Sequence, residues 1–294
     1  MLPARAEGSA DAGGIIFSKD RPLQLDALIR SYVLHVAPQA PLTVVFDAST
    51  GAYQQAYEEV AHLHESPVIQ FILEKEQGGF RKALVALVVT ASTDTLFFLV
   101  DDIVFTEDVQ LRRLAELALE GHVPSMRLGR NLTSSYTMQR RQPLPPMKRM
   151  IISSDQGSSV SPSTSDLWAW RWRSGELDWA YPLSVDGNVF ATDEIRRCIL
   201  QAEFTAPNSL EDALQSHVGV FLPRWGICYE KSRLVNIPMN RVQNAIPNQH
   251  GSIHQDDLLA LWARGQRLDV RALSGFRNSS AHEEVPVAFI ERSL

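Results

Sequence analysis

Three features of the sequence predict an α/β fold, a mixed but mainly parallel sheet flanked by helices. Strand and helix patterns alternate through the first half of the chain, the strand candidates are short apolar runs, and polar residues gather directly behind several of them. Alternation of this kind implies a parallel sheet covered on both faces, whose strands read as continuous apolar runs. Such sheets bind ligands in the crevice beyond the carboxyl ends of their strands, so residues just behind a strand are the first candidates for chemistry.

Taken in order, Gly14-Ile15-Ile16-Phe17 is the first strand and Ser18-Lys19-Asp20-Arg21-Pro22 a polar loop. Pro22 suits a first helical turn, and a helix follows over about 23–36 with apolar Leu25, Leu28, Ile29 and Tyr32. The second strand, 42–46, ends at Asp47. A helix over about 53–64 returns the chain to a third strand, 68–73, and another over about 80–89, with Arg81 near its start, feeds a fourth, 95–100. That strand runs straight into Asp101 and Asp102. Three strand ends (18–21, 47–49 and 101–102) therefore place polar groups on one edge of the sheet. Paired carboxylates there suit a hard divalent cation and the polyanion it would bind; the plainer alternative is a turn or a helix cap.

The 294 residues are 45% hydrophobic and 21% charged, as in an ordinary globular protein, and the formal charge of -6 argues against a nucleic-acid backbone as partner. Cys198 and Cys228 are too few and too far apart for a disulfide framework or a Cys-x-x-Cys clip, which favours a reducing, cytoplasmic setting. Residues 1–13 lack the apolar core of a signal peptide and are expected to be flexible; no stretch is long enough to span a bilayer, while peripheral association stays open. The expected organisation is a nucleotide-binding half over 14–136, a mobile loop over 137–166 rich in proline, serine and threonine, and an acceptor-side, catalytic half over 167–294, within a single domain.

Neither a Gly-x-Gly-x-x-Gly nor a Gly-x-x-x-x-Gly-Lys-Ser/Thr follows the first strand, so a nucleotide would be held by side chains. The strand, the Ser18-Lys19-Asp20-Arg21-Pro22 loop, the second strand closed by Asp47 and the apolar strand entering Val100-Asp101-Asp102 resemble the nucleotide-binding half of GT-A glycosyltransferases. The resemblance covers roughly 15–105. It implies a GT-A, Rossmann-like fold, a nucleotide-sugar donor, a glycan or glycolipid acceptor, a role in polysaccharide biosynthesis, and Mn2+ or Mg2+ at a DXD-type motif. In this chain Val-Asp-Asp stands for that motif, with Asp102 as metal ligand and Asp101 as a contact to ribose or metal-bound water. The resemblance further implies Ser18, Lys19, Asp20, Arg21 and Arg81 around the nucleotide, with Arg21 near phosphate or base and Asp47 accepting from the base.

Further along, Arg127, Arg130 and Asn131 stand where cations and an amide could neutralise a leaving diphosphate, or form a solvated turn. Trp168, Trp170 and Trp172 alternate, which places three indoles on one strand face; a core strand is the favoured reading and a sugar platform the other. The segment 178–190 combines turn signals with Trp179, Ser184, Asp186 and Asn188, which could contact a sugar. At 207–214 a helix opens whose Ser209 and Asp212 approximate a capping box. By the resemblance, Glu211-Asp212 is the acid pair of inverting GT-A enzymes, Asp212 taking the acceptor's proton, with the helix dipole lowering its pKa. His282, and behind it His254, is implied as an extra metal ligand; a surface histidine is the alternative. A nucleotidyltransferase and a non-catalytic carbohydrate-binding protein are the competing functions.

Overall fold

The computed structural model describes residues 10–150, 166–239 and 254–292. Strand β1 (Ala12–Lys19) leads through Arg21 into helix α1 (Pro22–His35), followed by β2 (Leu42–Asp47), α2 (Gly51–Leu63), β3 (Ile69–Leu73), α3 (Phe80–Thr90) and β4 (Thr95–Val100). Each lies within about two residues of its predicted place, except that β1 starts at Ala12, inside the segment expected to be free. Strands β1 to β4 are parallel, because each return passes through a helix. After β4 come β5 (Ile103–Phe105), α4 (Leu111–Leu119), β6 (Val123–Gly129), β7 (Leu167–Arg171) and β8 (Val189–Ala191). Strand β8 joins the main sheet antiparallel to β4, which gives the order β8-β4-β1-β2-β3.

Period-two alternation divides these strands between two apolar layers. Ile16, Phe97 and Leu99 enter one layer with α1, α2 and α4, whereas Ile15, Phe17, Leu96 and Phe98 enter the other with α3. Burying each such leucine or phenylalanine contributes about 1.5–3 kcal/mol, so the strand ends that carry polar groups are held firmly. Gly14 has a packing reason: a Cβ there would meet Leu42 at 2.5 Å and Phe97 at 2.6 Å, so β1 sits closer to its neighbours than any side chain would allow.

The second half adds α5 (Thr192–Gln201), α6 (Pro207–Leu214), β9 (Trp225–Tyr229), β10 (Leu234–Asn236) and α7 (Gln255–Ala263). A second sheet is built from Lys148–Arg149, β7, β9 and β6, while β10 pairs antiparallel with β5. The tryptophan strand is core. Trp170, Trp172 and Trp179 are fully buried, packed edge-to-face, and the strand ends at Arg171 so that Trp172 falls in a following turn. Trp168 lies beneath the Arg130 guanidinium, 3.9 Å from ring to cation. Of the expected mobile loop, Arg140–Arg141 pair with Ser134–Ser135 and Lys148–Arg149 with β7; residues 151–165 lie outside the described residues. Among the described residues no helix is long and apolar enough to cross a membrane.

Candidate active site

The carboxyl ends of β1 and β4 meet in a network centred on Asp101. Its Oδ2 accepts from the Ser18 hydroxyl at 2.9 Å and the Lys19 backbone N–H at 3.2 Å, and Nη1 of Arg21 donates to Oδ1 at 3.0 Å. The same Nη1 lies 3.5 Å from Asp102. Arg21 therefore spans both aspartates, and it is positioned by the buried Tyr57 hydroxyl, which accepts its backbone N–H at 3.0 Å and sits 2.6 Å from Ser18 Oγ. Asp102 is fastened from the second half of the chain: Asn236 donates to its Oδ1 at 3.2 Å, and the Ile237 N–H to its carbonyl at 2.8 Å. Burial pushes Asp102 up to about 7; Arg21 opposes this, and Asp101 and Asp186 add to it by like charge. Burial likewise raises Asp101 against the pull of Arg21.

Asp186 arrives on the loop that enters β8. Gly187 donates its N–H to Phe98 at 2.7 Å and accepts from the Met126 N–H at 2.9 Å, so this loop is stitched between the two sheets. Its φ of +85°, and a Cβ position 2.8 Å from Leu234, leave room only for glycine. Beside it Arg127 is almost wholly buried: it pairs with Asp178, donates to Ser184 Oγ at 2.7 Å and lies 3.6 Å from Asp186. Its charge is taken up by these acids. Arg127 thus organises carboxylates in this structure.

Glu211 reaches the same cluster from α6, its Oε1 accepting the Val185 N–H at 3.0 Å. Burial and then the Asp186 charge raise it to about 7. Asp212, one residue on, faces solvent. The expected capping box also differs: the N-cap is Ala206, whose N–H donates to Ser209 Oγ at 3.0 Å, so neither acid caps the helix. His282 is brought in by a single parallel bridge to Asn236 and places Nε2 3.7 Å from Asp186; burial lowers its pKa, so its imidazole is neutral at pH 7. His254 instead caps α7, accepting the Asp256 N–H at 3.3 Å.

Two further strand ends complete the edge. Asp47 lies beside Lys19, whose Nζ is 2.8 Å from Oδ2, and beside Lys75, whose Nζ is 3.1 Å from Oδ1. Asp20, at φ 52°, accepts the Ser49 N–H at 2.8 Å and so ties the first two loops together. Two other predicted residues are engaged elsewhere. Asn131 is buried with its amide shared between Asn278 and Ser232, and Arg81 binds Ala202 O at 3.2 Å and Glu203 at 3.1 Å, joining α3 to the segment behind α5. Tyr57, Lys75 and Asn236 were not foreseen. Lys75 had a signal, since it follows β3 as Asp47 follows β2; Asn236 and Tyr57 had none.

Among the described residues no three of His, Cys, Asp and Glu stand close enough to hold a metal ion as they are. The donor types nevertheless fit one: Asp102 and Asp186 repel each other, and the neutral His282 adjoins Asp186.

No family model matches this chain, and no curated protein does. Among solved structures, residues 1–349 of S. aureus TarS align at 12% identity with 76% of this chain and 59% of that one, TM-score 0.45. A nucleotidyl transferase from Methanothermobacter thermautotroptrophicus aligns at 12% identity over 76% and 88%, TM-score 0.41. A mannosyltransferase from Pyrobaculum calidifontis, in complex with GDP-Man and Mn2+, aligns at 16% identity over 42% and 39%, TM-score 0.32. The chain spans about three fifths of the TarS fragment. At these scores the likeness is slight, and activity has to be argued from the site.

Proposed function

We propose that this protein is a glycosyltransferase of the GT-A type that transfers a sugar from a nucleoside diphosphate sugar to a hydroxyl acceptor with inversion. The observation that carries the reading is the meeting, at one edge of a parallel sheet, of a charge-paired Asp101-Asp102 motif with a separate half-buried acid, Glu211, held against the Val185 N–H. Nucleotide binding falls to the loops behind β1, β2 and β4; sugar and acceptor lie toward Asp186, His282 and Glu211. Asp102, with Asp186 and His282 beside it, would hold Mn2+ or Mg2+, which when bound supplies positive charge for the diphosphate leaving group.

The chain's own part in the reaction follows from its charges. Arg21 holds Asp101 and Asp102 in fixed orientation. Glu211, whose pKa burial and Asp186 raise toward neutrality, accepts the proton of the acceptor hydroxyl as its oxygen attacks the anomeric carbon and the bond to the diphosphate breaks. Arg127 keeps the acid cluster together by pairing with Asp178 and Asp186, so that Glu211 is the carboxylate left for the proton. A nucleotidyltransferase fits less well, since no glycine- and lysine-rich loop follows β1, and burial of the tryptophans removes the main support for a carbohydrate-binding protein.

Calorimetry with UDP-, GDP-, CMP- and dTDP-sugars, with and without Mn2+, tests the reading. One of the diphosphate sugars is expected to bind only with metal and to lose that binding in Asp102→Ala, and the product anomer read by NMR should be inverted. Undiminished binding in EDTA would remove the metal, and a retained anomer would remove Glu211 as base.

A further inference from the structure

The stretch that leads into the second sheet contrasts in charge with the rest of the chain. The protein has a formal charge of -6, yet residues 138–149 hold Arg140, Arg141, Lys148 and Arg149 and no carboxylate. All four cations are exposed. Apolar side chains face solvent among them: Met138 is 58% and Leu144 37% exposed. Arg140–Arg141 are the return arm of a hairpin with Ser134–Ser135, and Met138 stands at its tip, where the Gln139 N–H donates to the Tyr136 carbonyl at 3.2 Å. Glu284 meets this hairpin at the Tyr136 hydroxyl, which donates to it at 2.6 Å.

Lys148–Arg149 then run along the edge of the second sheet, antiparallel to β7. Lys148 Nζ lies 4.1 Å from the centre of the Trp225 ring and the Arg171 guanidinium 3.9 Å from the same ring, so one indole holds two cations together at that edge. A soluble polyanion would be matched by the cations alone and would gain nothing from Met138 and Leu144. An anionic bilayer uses both, since cations lie among its phosphates, apolar side chains enter the acyl boundary, and indoles favour the level between. The stretch also adjoins the crevice. Gln142, buried within it, accepts the Asp178 N–H at 3.3 Å, and the Tyr136 N–H donates to Ser280 Oγ at 2.9 Å, two residues before His282.

We propose that residues 138–149, with Arg171 and Trp225, dock this protein on the surface of an anionic lipid bilayer, bringing the Asp178 and His282 side of the crevice next to the lipid. Docking of this kind goes beyond sugar transfer and does not depend on it. The cations supply attraction that salt weakens, and Met138 and Leu144 supply attraction that salt leaves in place.

Sedimentation of the full chain with vesicles of phosphatidylcholine, alone or containing about one third phosphatidylglycerol, tests the proposal. The anionic vesicles should bind at least about tenfold more tightly than the neutral ones, and the gap should close in about 0.5 M salt. Arg140→Gln/Arg141→Gln should lower that binding about thirtyfold, because each cation near an anionic surface is worth about a factor of five. Met138→Ser/Leu144→Ser should lower it about tenfold, and neither pair should move the melting temperature, since all four side chains are exposed. Arg264→Gln/Arg271→Gln, the same change of charge at exposed positions behind α7, should leave binding within about twofold. Equal binding to the two vesicle types, binding to neither, or a loss in this last pair as large as in Arg140→Gln/Arg141→Gln would overturn the proposal. Binding untouched by Met138→Ser/Leu144→Ser and displaced by soluble polyphosphate would overturn it in favour of a polyanion site.

Discussion

Replacing Glu211 by glutamine separates its chemistry from its cost to the fold. The glutamine keeps an oxygen for the Val185 N–H and removes only the charge. An ordinary glutamate titrates at 4.5, whereas Glu211 is raised to about 7 by burial and by Asp186. A carboxyl whose pKa is raised by folding binds its proton more tightly in the native state, so its unfavourable contribution is absent below the unfolded pKa and grows as pH rises to the folded one. By pH 8 this contribution amounts to about 3 kcal/mol. Glu211→Gln should therefore be more stable than the parent at pH 8 by up to about that amount, with the difference vanishing near pH 4.5. Transfer should fall by roughly a hundred- to ten-thousandfold, and in the parent the rate should rise through about pH 7 as Glu211 ionises. Chemical unfolding at several pH values, beside a transfer assay with the donor held saturating, provides both readings. A glutamine variant that transfers at the parent rate, or that loses stability at pH 8, would refute the argument.

Asp212→Asn should leave transfer within a few fold of the parent and stability within about 0.5 kcal/mol, because that side chain faces solvent; a loss comparable to that of Glu211→Gln would return the base to Asp212. Arg127→Met should cost about 3–5 kcal/mol, as Asp178 and Asp186 would be left buried beside each other without their cation. Urea unfolding reads this, and a loss under 1 kcal/mol would show that the acids hold their places unaided.

The first half of the chain was legible because each strand there is an apolar run of β-formers and the first helix is marked at its start by Pro22. The strand-end rule located Ser18, Arg21, Asp47, Asp101 and Asp102, and would have located Lys75 had it been applied behind β3. What the rule does not reveal is who faces whom. Arg127 and Asn131 carry the residue types of an anion site, yet one is surrounded by carboxylates and the other by amides and hydroxyls. Glu211 and Asp212 are chemically near-equivalent neighbours, and a rotation of about 100° around one helix decides which of them turns inward to the Val185 N–H. Asn236 and His282 lie far apart in sequence and meet through a single backbone pairing, which leaves no periodic trace.

The reversed direction of β8 sets where variation in this molecule can act. In the parallel strands, substitutions behind the strand alter the crevice. An antiparallel neighbour turns its opposite end to the same crevice, so the residues ahead of β8, from Asp178 to Asn188, are the ones that face it. Under the proposed reaction, changes in that one stretch would reshape recognition of the acceptor while the loops behind β1, β2 and β4 continue to hold the donor, giving evolution two dials on one rim that can be turned independently.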